Sequence, residues 1–202
     1  MSESKISQKY SLILEAAACV FSEKGYSVAS MDEIAAAAPV SKATLYAHFK
    51  DKKELFSEMI RYRCRKLAET ISHALDSDAD LYVGLRTIAQ QFHELTQSQE
   101  SICVHSLIIA ESKQFPELAK VFYASVNMNI EALSRYLAVV AVRDGLIFKH
   151  PRLAAVMFLN MLKGECFSKR LLGMSSSASE QEWQELVDEA IHVFVQGHLT
   201  AS

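Results

Sequence analysis

Glycine and proline are scarce in this sequence, which has six glycines and three prolines among its 202 residues. So few chain-breaking residues exclude collagen-like, disordered and many-stranded β architectures. No apolar run reaches the roughly 18 residues that a membrane-spanning helix needs, and the N-terminus has no signal-peptide pattern. We therefore expect a cytoplasmic protein that makes no contact with a membrane.

Paired cysteines are also lacking, because the four cysteines lie far apart and form no CxxC motif. This spacing predicts reduced thiols in a cytosolic chain rather than a disulfide framework or a zinc site. His93 and His105 lie in mostly apolar helical segments, where a lone histidine is more often a hydrogen-bonded core residue than a metal ligand. Nothing resembles a catalytic triad, a phosphate loop or a nucleotide-binding fingerprint, so we expect no cofactor, no metal and no enzyme activity.

Charge is distributed unevenly along the chain, whose formal net charge is −3. Residues 1–66 contain 11 Lys/Arg against 8 Asp/Glu, whereas residues 67–202 contain 10 against 16. A basic front on an acidic body can present one end to a polyanion and repel it elsewhere. Ordinary fluctuation in composition explains the same imbalance, so charge alone does not decide the function.

Apolar residues recur at steps of three and four along most of the chain, which is the period of amphipathic helices. We find no sustained strand alternation and no internal repeat. The sequence therefore predicts an all-α fold, with a front of short helices followed by a body of longer ones. The predicted helices cover residues 8–24, 31–37, 42–48, 52–74, 80–97, 101–112, 116–143, 151–172 and 180–198.

Capping residues mark the ends of the first three predicted helices. Gly25 can take the left-handed conformation that ends a helix, and Ser30 with Glu33 forms a capping box at the start of the next one. Pro39 ends that second helix, because a proline pushes the preceding residue out of the α region. Ser41 then caps the third helix.

Two short predicted helices, 31–37 and 42–48, are joined by about four residues and backed by a longer one, which indicates a helix-turn-helix. In this motif the second helix enters the major groove of DNA, so its outward side chains are expected to be polar or basic. Helical spacing turns Val40, Leu45 and Phe49 inward. The side chains left facing outward are Lys42, Thr44, Tyr46 and His48, and the lysines that follow, placed to meet phosphates, are Lys50, Lys52 and Lys53. A bare helical hairpin with solvated lysines is the alternative, although it has no need of this outward pattern.

A set of residues in the first 60 matches, in order and spacing, the N-terminal DNA-binding domain of a known family. The set consists of Ile13-Leu14-Glu15-Ala16-Ala17, Phe21-Ser22-Glu23-Lys24-Gly25-Tyr26, Ile34-Ala35, Val40-Ser41-Lys42-Ala43-Thr44-Leu45-Tyr46-Ala47-His48-Phe49, Lys52 and Leu55. Over about residues 8–60 the chain thus resembles the TetR family of bacterial transcriptional regulators. The resemblance implies a homodimeric regulator, usually a repressor, which binds a double-stranded DNA operator and releases it when a small molecule binds the C-terminal body.

The resemblance also assigns DNA-binding residues by position. It implies that the recognition helix faces DNA with Lys42, Thr44, Tyr46 and His48, and that Ser30, Ser41 and Ala43 belong to the same set. Lys52 matches the family lysine that contacts a phosphate at the start of the next helix. Pro39 stands where the family usually has glycine. Because proline holds φ at about −65°, we expect a rebuilt turn and a tilted recognition helix.

A weaker similarity lies in the body, at Glu111-Ser112-Lys113-Gln114-Phe115-Pro116-Glu117-Leu118-Ala119 and Phe122-Tyr123. This stretch is similar to the C-terminal domain of AcrR- and AefR-like members. We therefore expect a helix-turn-helix DNA-binding domain over residues 1–52 and a helical effector-binding and dimerisation domain over residues 53–202.

The body has methionine and phenylalanine residues that could wall a ligand cavity, because methionine adapts to varied shapes. Within residues 81–165 we expect a pocket for a small apolar or amphipathic effector. The candidate lining residues are Phe92, His105, Ile109, Phe122, Met128, Met157, Asn160 and Met161. Any one of them can equally belong to the ordinary core.

The last two predicted helices have the composition of an interface. Helix 151–172 has apolar residues around most of its circumference, which is more than a single stripe facing the core requires. Gly164 would allow another helix to approach closely. Two such helices from each protomer can close a four-helix bundle across a two-fold axis. The candidate interface residues are Leu153, Val156, Gly164, Phe167, Trp183, Leu186, Ile191 and Phe194. Burial of both helices within one subunit is the alternative.

The sequence thus favours a ligand-responsive transcriptional regulator, expected to be a repressor, that binds a palindromic operator as a homodimer. The alternative is a helical small-molecule carrier, or an enzyme, that keeps a degenerate helix-turn-helix front. The outward residues of helix 42–48 discriminate between them, because a pure carrier has no reason to present such a set.

Overall fold

A computed structural model describes residues 3–77, 80–174 and 179–198, and every regular element in them is an α-helix. The helices are α1 (Glu3–Val28), α2 (Met31–Ala37), α3 (Lys42–His48), α4 (Lys52–Asp76), α5 (Leu81–Gln97), α6 (Gln99–Glu111), α7 (Pro116–Asp144), α8 (Pro151–Leu171) and α9 (Glu180–Gln196). The all-α prediction is confirmed. The largest difference in bounds is at the first helix, which begins at Glu3 rather than at residue 8.

The predicted capping box opens α2. The Ser30 hydroxyl accepts a hydrogen bond from the Glu33 N–H at 3.2 Å, and the Glu33 carboxylate accepts one from the Ser30 N–H at 3.0 Å. A side-chain hydrogen bond from Lys24, together with the bonds from Ser30, lowers the pKa of Glu33 to about 2. At the start of α3, the Ser41 hydroxyl accepts from the Thr44 N–H at 3.1 Å. These local contacts fix where both short helices begin.

The turn between α2 and α3 contradicts the expectation that proline rebuilds it. Pro39 has a φ of 23°, so the turn keeps the positive φ that a glycine would take. The Val40 N–H donates to the Ala35 carbonyl at 3.2 Å. Of the two hydrogen bonds that close a helix ending in glycine, this is the one that spans more residues. The second of these bonds would come from the N–H of residue 39, which proline lacks. The turn therefore combines backbone strain with one missing hydrogen bond.

The chain divides into two compact units, and the first comprises Met1–Arg63 and Gln99–Ser125. In this unit α1 packs against α2 and α6, and α2 packs against α3. Its fully buried side chains include Phe21, Ile34 and Leu45. Because α6 groups with the N-terminal helices, the units do not follow the expected boundary after residue 52, and the division into domains 1–52 and 53–202 stays a prediction.

The second compact unit comprises Cys64–Ser98 and Val126–Ser202. Its α5 packs against α8 and α9, and α8 packs against α9. A continuous apolar core includes Leu85, Leu137 and Phe158, none of them exposed. Within the described residues, no helix is both long and apolar enough to cross a membrane.

Candidate functional site

The outward face of α3 is short and carries few polar groups. Ser41, Lys42, Ala43 and Tyr46 are exposed, and Tyr46 keeps 51% of its surface open to solvent. Ala47, which was not among the predicted residues, is exposed beside them. Leu45 is fully buried and fixes which way the helix faces, as the sequence pattern indicates.

Thr44 and His48 are only half exposed, unlike the other predicted residues of α3. The Thr44 hydroxyl lies 2.8 Å from the Ser41 hydroxyl, and the His48 ring meets the Tyr10 ring edge to face at 5.9 Å between centroids. Ser30 is half-buried and occupied by its capping box. These three side chains therefore contribute mainly to holding the helix-turn-helix in shape.

Lys42 on α3 forms an ion pair with Asp32 on α2. Its Nζ atom lies 2.6 Å from the Asp32 carboxylate, and both side chains are more than half exposed. The pair places an acid next to the most exposed base of the recognition helix. Free access of Lys42 to another anion requires that this pair opens.

Lys52 faces the protein rather than solvent. Its ammonium donates to the carbonyl oxygens of Tyr26 at 2.6 Å, Ser27 at 3.1 Å and Ala29 at 2.8 Å, and it lies 4.7 Å from the centre of the Tyr26 ring. Burial lowers the pKa of Lys52, and the nearby Glu111 carboxylate opposes that effect. All three ammonium protons are used inside the chain. The expectation that Lys52 contacts a phosphate therefore disagrees with this geometry, whereas Lys50 and Lys53 beside it are exposed.

Glu111, the last residue of α6, binds the N–H groups of the same backbone segment. Its two carboxylate oxygens accept hydrogen bonds from the N–H groups of Tyr26 at 2.7 Å and Ser27 at 2.9 Å. Glu111 has no predicted role beyond its place in the stretch that is similar to AcrR- and AefR-like members. Its partners lie about 85 positions away, and no local pattern predicts such a contact.

The candidate effector residues are divided between the two compact units. His105, Ile109 and Phe122 belong to the first unit, where the His105 ring meets Phe122 edge to face at 4.7 Å and bonds to the Ser101 carbonyl. The candidates in the second unit are Phe92, Met128, Met157, Asn160 and Met161. Phe92 is buried in the apolar core of that unit. Of the remaining candidates, Ile109, Met128, Met157 and Asn160 are exposed.

A groove of about 410 Å³ lies within the second unit and has none of the predicted ligand residues in its wall. Its wall combines amides, hydroxyls and charged groups with one aromatic side chain. The lining residues are Thr70, Arg86, Thr87, Gln90, Gln91, Glu94, Trp183, Gln184 and Val187. Trp183 stacks on the His93 ring at 3.8 Å between centroids, which holds the indole in place.

The candidate interface residues are mostly occupied within their own chain. The buried ones are Phe167, Trp183, Ile191 and Phe194, with Val156 and Leu186 half-buried. Gly164 has φ 58° and ψ −172°, so it kinks α8, and a Cβ atom there would lie 3.1 Å from Leu186 of the same chain. Burial within the chain leaves the buried side chains little surface for a partner, and their assignment to a dimer interface stays a prediction. Leu153 alone of the set is largely exposed, at 53%.

Metal chemistry has no candidate in the described part of the chain, where no three His, Cys, Asp or Glu side chains come together as ligands. The four cysteines, all within the described residues, are not joined by disulfide bonds.

Comparisons with known proteins agree with the helix-turn-helix geometry. Residues 13–59 match the model of bacterial regulatory proteins of the tetR family, and residues 83–197, more than half of the chain, match the C-terminal domain of AefR-like transcriptional repressors. The chain is 34% identical to the regulator AcrR of Shigella flexneri over 61% of this chain and 58% of AcrR. It is 36% identical to the transcriptional activator FasR of Mycolicibacterium smegmatis over 42% of this chain and 39% of FasR. The alignments thus span less than two thirds of these curated relatives.

A solved structure matches over nearly the whole length. The flavonoid-responsive regulator FrrA is 31% identical, with a TM-score of 0.73 over 97% of this chain and 100% of FrrA. These relatives are transcriptional regulators rather than enzymes, so the alternative of a carrier or enzyme finds no support. The helix-turn-helix front, the matching C-terminal model and this full-length relative together establish that the chain belongs to the TetR family of transcriptional regulators.

Proposed function

We propose that this protein is a repressor that binds a palindromic DNA operator as a homodimer and releases it when a small apolar or amphipathic molecule binds. The observation that carries the DNA-binding part is the exposed face of α3, held by two side-chain caps and a buried Leu45. A helix presented in this way fits the major groove. The similarity of residues 83–197 to AefR-like repressors supports repression, whereas FasR, an activator, is the precedent for the opposite outcome.

The exposed side chains of α3 suggest how bases are distinguished. The helix, whose sequence is KATLYAH, contains no Arg, Asn or Gln, the residues that most often make paired hydrogen bonds to guanine or adenine. Ala43 and Ala47 lie four residues apart, so they share one face, next to Tyr46. Alanine contacts the methyl group of thymine. We assign base selection to Tyr46, Ala43 and Ala47, and phosphate contacts to Lys50 and Lys53.

A two-fold dimer accounts for a palindromic operator, with recognition helices about 34–36 Å apart. The exposed apolar residues Leu153 and Met157 lie four residues apart on α8 and are 53% and 49% exposed. We assign them to the dimer surface in place of the buried residues. Leu153→Glu should then give monomers in light scattering, and Val83→Glu, which changes an equally exposed residue of α5, should stay dimeric. A dimeric Leu153→Glu variant would move the interface elsewhere.

The effector part of the proposal rests on two observations. FrrA, the relative of similar length, is flavonoid-responsive. In the groove of the second unit, the aromatic side chain of Trp183 lies among the amides of Gln90, Gln91 and Gln184. This combination suits a planar molecule with several polar groups. The candidate residues between 81 and 165 remain the predicted alternative site.

The DNA-binding part is tested with labelled duplexes from the region upstream of the protein's own coding sequence. Wild-type protein should retard one of these duplexes in the presence of excess unrelated DNA. Tyr46→Ala should weaken this binding at least tenfold, while Tyr82→Ala should not, because Tyr82 is an equally exposed tyrosine of the second unit. An equal loss of DNA affinity in both variants would show that α3 is not part of the DNA-binding site.

The effector part is tested by titrating the flavonoid quercetin into free protein and into the protein–DNA complex in a calorimeter. Release requires that the ligand prefers the form that does not bind DNA, so its affinity for the complex must be lower by the same factor by which it weakens DNA binding. Equal affinity in both titrations would exclude a flavonoid as the releasing ligand.

A further inference from the structure

Two opposite charges hold residues 25–29, the stretch that begins at the non-helical Gly25 inside α1 and ends just before Ser30, the cap of α2. On one side, the carboxylate of Glu111 accepts hydrogen bonds from the Tyr26 and Ser27 N–H groups at 2.7 and 2.9 Å. On the other side, the ammonium of Lys52 donates to the carbonyl oxygens of Tyr26, Ser27 and Ala29. Charge-assisted hydrogen bonds are about twice as strong as neutral ones. The segment is thus fixed by one residue of α6 and one of α4.

Gly25 makes the carboxylate contact possible. Its φ of 81° and ψ of 162° turn the chain out of the helix just before the two N–H groups that Glu111 binds. A Cβ atom at this position would lie 2.6 Å from the Glu111 Oε1 atom. Any other residue would therefore strain the backbone and push the carboxylate away.

The segment leads directly into the DNA-reading helices. Its last residue, Ala29, is buried, and the next residue, Ser30, caps α2, which in turn packs on α3. At its other end the Tyr26 ring lies 5.2 Å from the Phe115 ring, and the Phe115 N–H bonds to the Glu111 carbonyl at 2.8 Å. A displacement of the end of α6 therefore moves both contacts at once.

We propose that Glu111 is a positioning residue for DNA recognition, which couples the end of α6 to the placement of α2 and α3. This inference rests on the proposed DNA-binding function. Glu111 itself does not touch DNA in this mechanism. Its charge acts by keeping the Gly25–Ala29 segment in the conformation from which α2 starts, with Lys52 as its counterpart.

Simple electrostatics predicts the opposite effect of removing this charge, which makes the test sharp. Glu111→Gln removes a negative charge, and a less negative protein binds DNA more tightly when the effect is purely Coulombic. Under the proposal the same variant binds DNA about tenfold more weakly, because the amide cannot accept both hydrogen bonds. Glu15→Gln makes the same charge change at an exposed position of α1 and should bind DNA as well as wild type or slightly better.

The salt dependence separates positioning from phosphate contact. Lys52→Met should weaken DNA binding while leaving the slope of log affinity against log salt unchanged. Lys53→Met, at the exposed neighbouring lysine, should lower the magnitude of that slope by about 1. Glu111→Asp keeps the charge and should recover most of the affinity that Glu111→Gln loses. If Lys52→Met reduces the slope as Lys53→Met does, Lys52 contacts phosphate and the pairing with Glu111 is not its role.

Hydrogen exchange gives a second measurement, made on the wild-type protein in case a variant does not fold. DNA binding should slow exchange of the Tyr26 and Ser27 amides more than that of core amides in the second unit such as Leu137. An unchanged DNA affinity of folded Glu111→Gln, or no additional protection at Tyr26 and Ser27, would overturn the inference. Failure of wild-type protein to bind any upstream duplex would instead overturn the proposed function.

Discussion

The Nζ atom of Lys42 on α3 lies 2.6 Å from the carboxylate of Asp32 on α2, with both side chains more than half exposed. An exposed ion pair of this kind stabilises a fold by no more than about 1 kcal/mol. The ion pair therefore matters more for DNA binding than for stability, since Lys42 is the most exposed base of the recognition helix. Under the proposed function, DNA and Asp32 compete for this lysine.

The first prediction follows from this competition. Asp32→Asn should raise the affinity for duplex DNA several-fold for all sequences, because it frees Lys42 and removes a negative charge from the DNA-facing surface. The slope of log affinity against log salt should steepen by about 1 as Lys42 gains a phosphate contact. Fluorescence anisotropy over a series of salt concentrations measures both quantities. Glu15→Gln serves as the charge-matched control, and an Asp32→Asn slope equal to that of wild type would show that Lys42 already binds DNA freely.

The second prediction concerns the strained turn at Pro39. Pro39→Gly should stabilise the protein by on the order of 1–2 kcal/mol, because glycine takes a positive φ without strain and supplies the missing N–H. The gain is reduced by the greater freedom of glycine in the unfolded chain, about 0.4–1 kcal/mol. Urea unfolding of wild type and variant measures the difference. A lower midpoint for Pro39→Gly would mean that relief of the strain at Pro39 is worth less than the freedom that glycine adds to the unfolded chain.

Local signals in the sequence predict the helices and their starts well. Ser30 and Ser41 each accept a hydrogen bond from the N–H group three residues further along. The contacts that begin α2 and α3 are therefore visible in four consecutive residues of the sequence. The inward position of Leu45 also follows from helical spacing alone. The outward face of α3 follows from the spacing only in part: Lys42 and Tyr46 are exposed as predicted, whereas Thr44 and His48 are only half exposed and the exposed Ala47 was missed.

Contacts between distant parts of the chain could not be predicted. Nothing near Lys52 or Glu111 indicates that both bind the segment around Tyr26, which lies 26 and 85 positions away. Apolar residues such as Trp183 and Phe194 show only that something covers them, and here it is their own subunit. Proline at position 39 predicts its usual φ of about −65°, whereas the turn holds it at 23°.

The third prediction concerns the kink in α8. Gly164→Ala should destabilise the protein by about 1–3 kcal/mol, because alanine is strained at φ 58° and its Cβ atom would lie 3.1 Å from Leu186. Gly173→Ala is the matched control, since Gly173 also has a positive φ, of 74°, but an added Cβ atom there meets nothing within 4 Å. Thermal unfolding of both variants measures the difference. Equal losses of stability would mean that the contact with Leu186 contributes nothing and that backbone strain alone accounts for both.

The fourth prediction tests the base contacts assigned to α3. Replacing thymine by uracil in a bound duplex removes only the methyl group, so every hydrogen bond to the bases is kept. One buried methyl group contributes about 0.8 kcal/mol, which corresponds to roughly a fourfold change in affinity. Uracil at one or two positions of each half-site should therefore weaken binding about fourfold per position, and uracil outside the protected region should have no effect.

Variants of the alanines connect each such position to a residue. Ala43→Gly and Ala47→Gly each remove the side-chain methyl group that packs on thymine, so each should abolish the uracil effect at one position of the half-site and leave it at the other. Circular dichroism of both variants checks that α3 tolerates glycine, whose cost in a helix is about 1 kcal/mol. A half-site at which no uracil substitution matters would mean that Ala43 and Ala47 do not contact thymine and that, of the three assigned residues, Tyr46 alone selects bases.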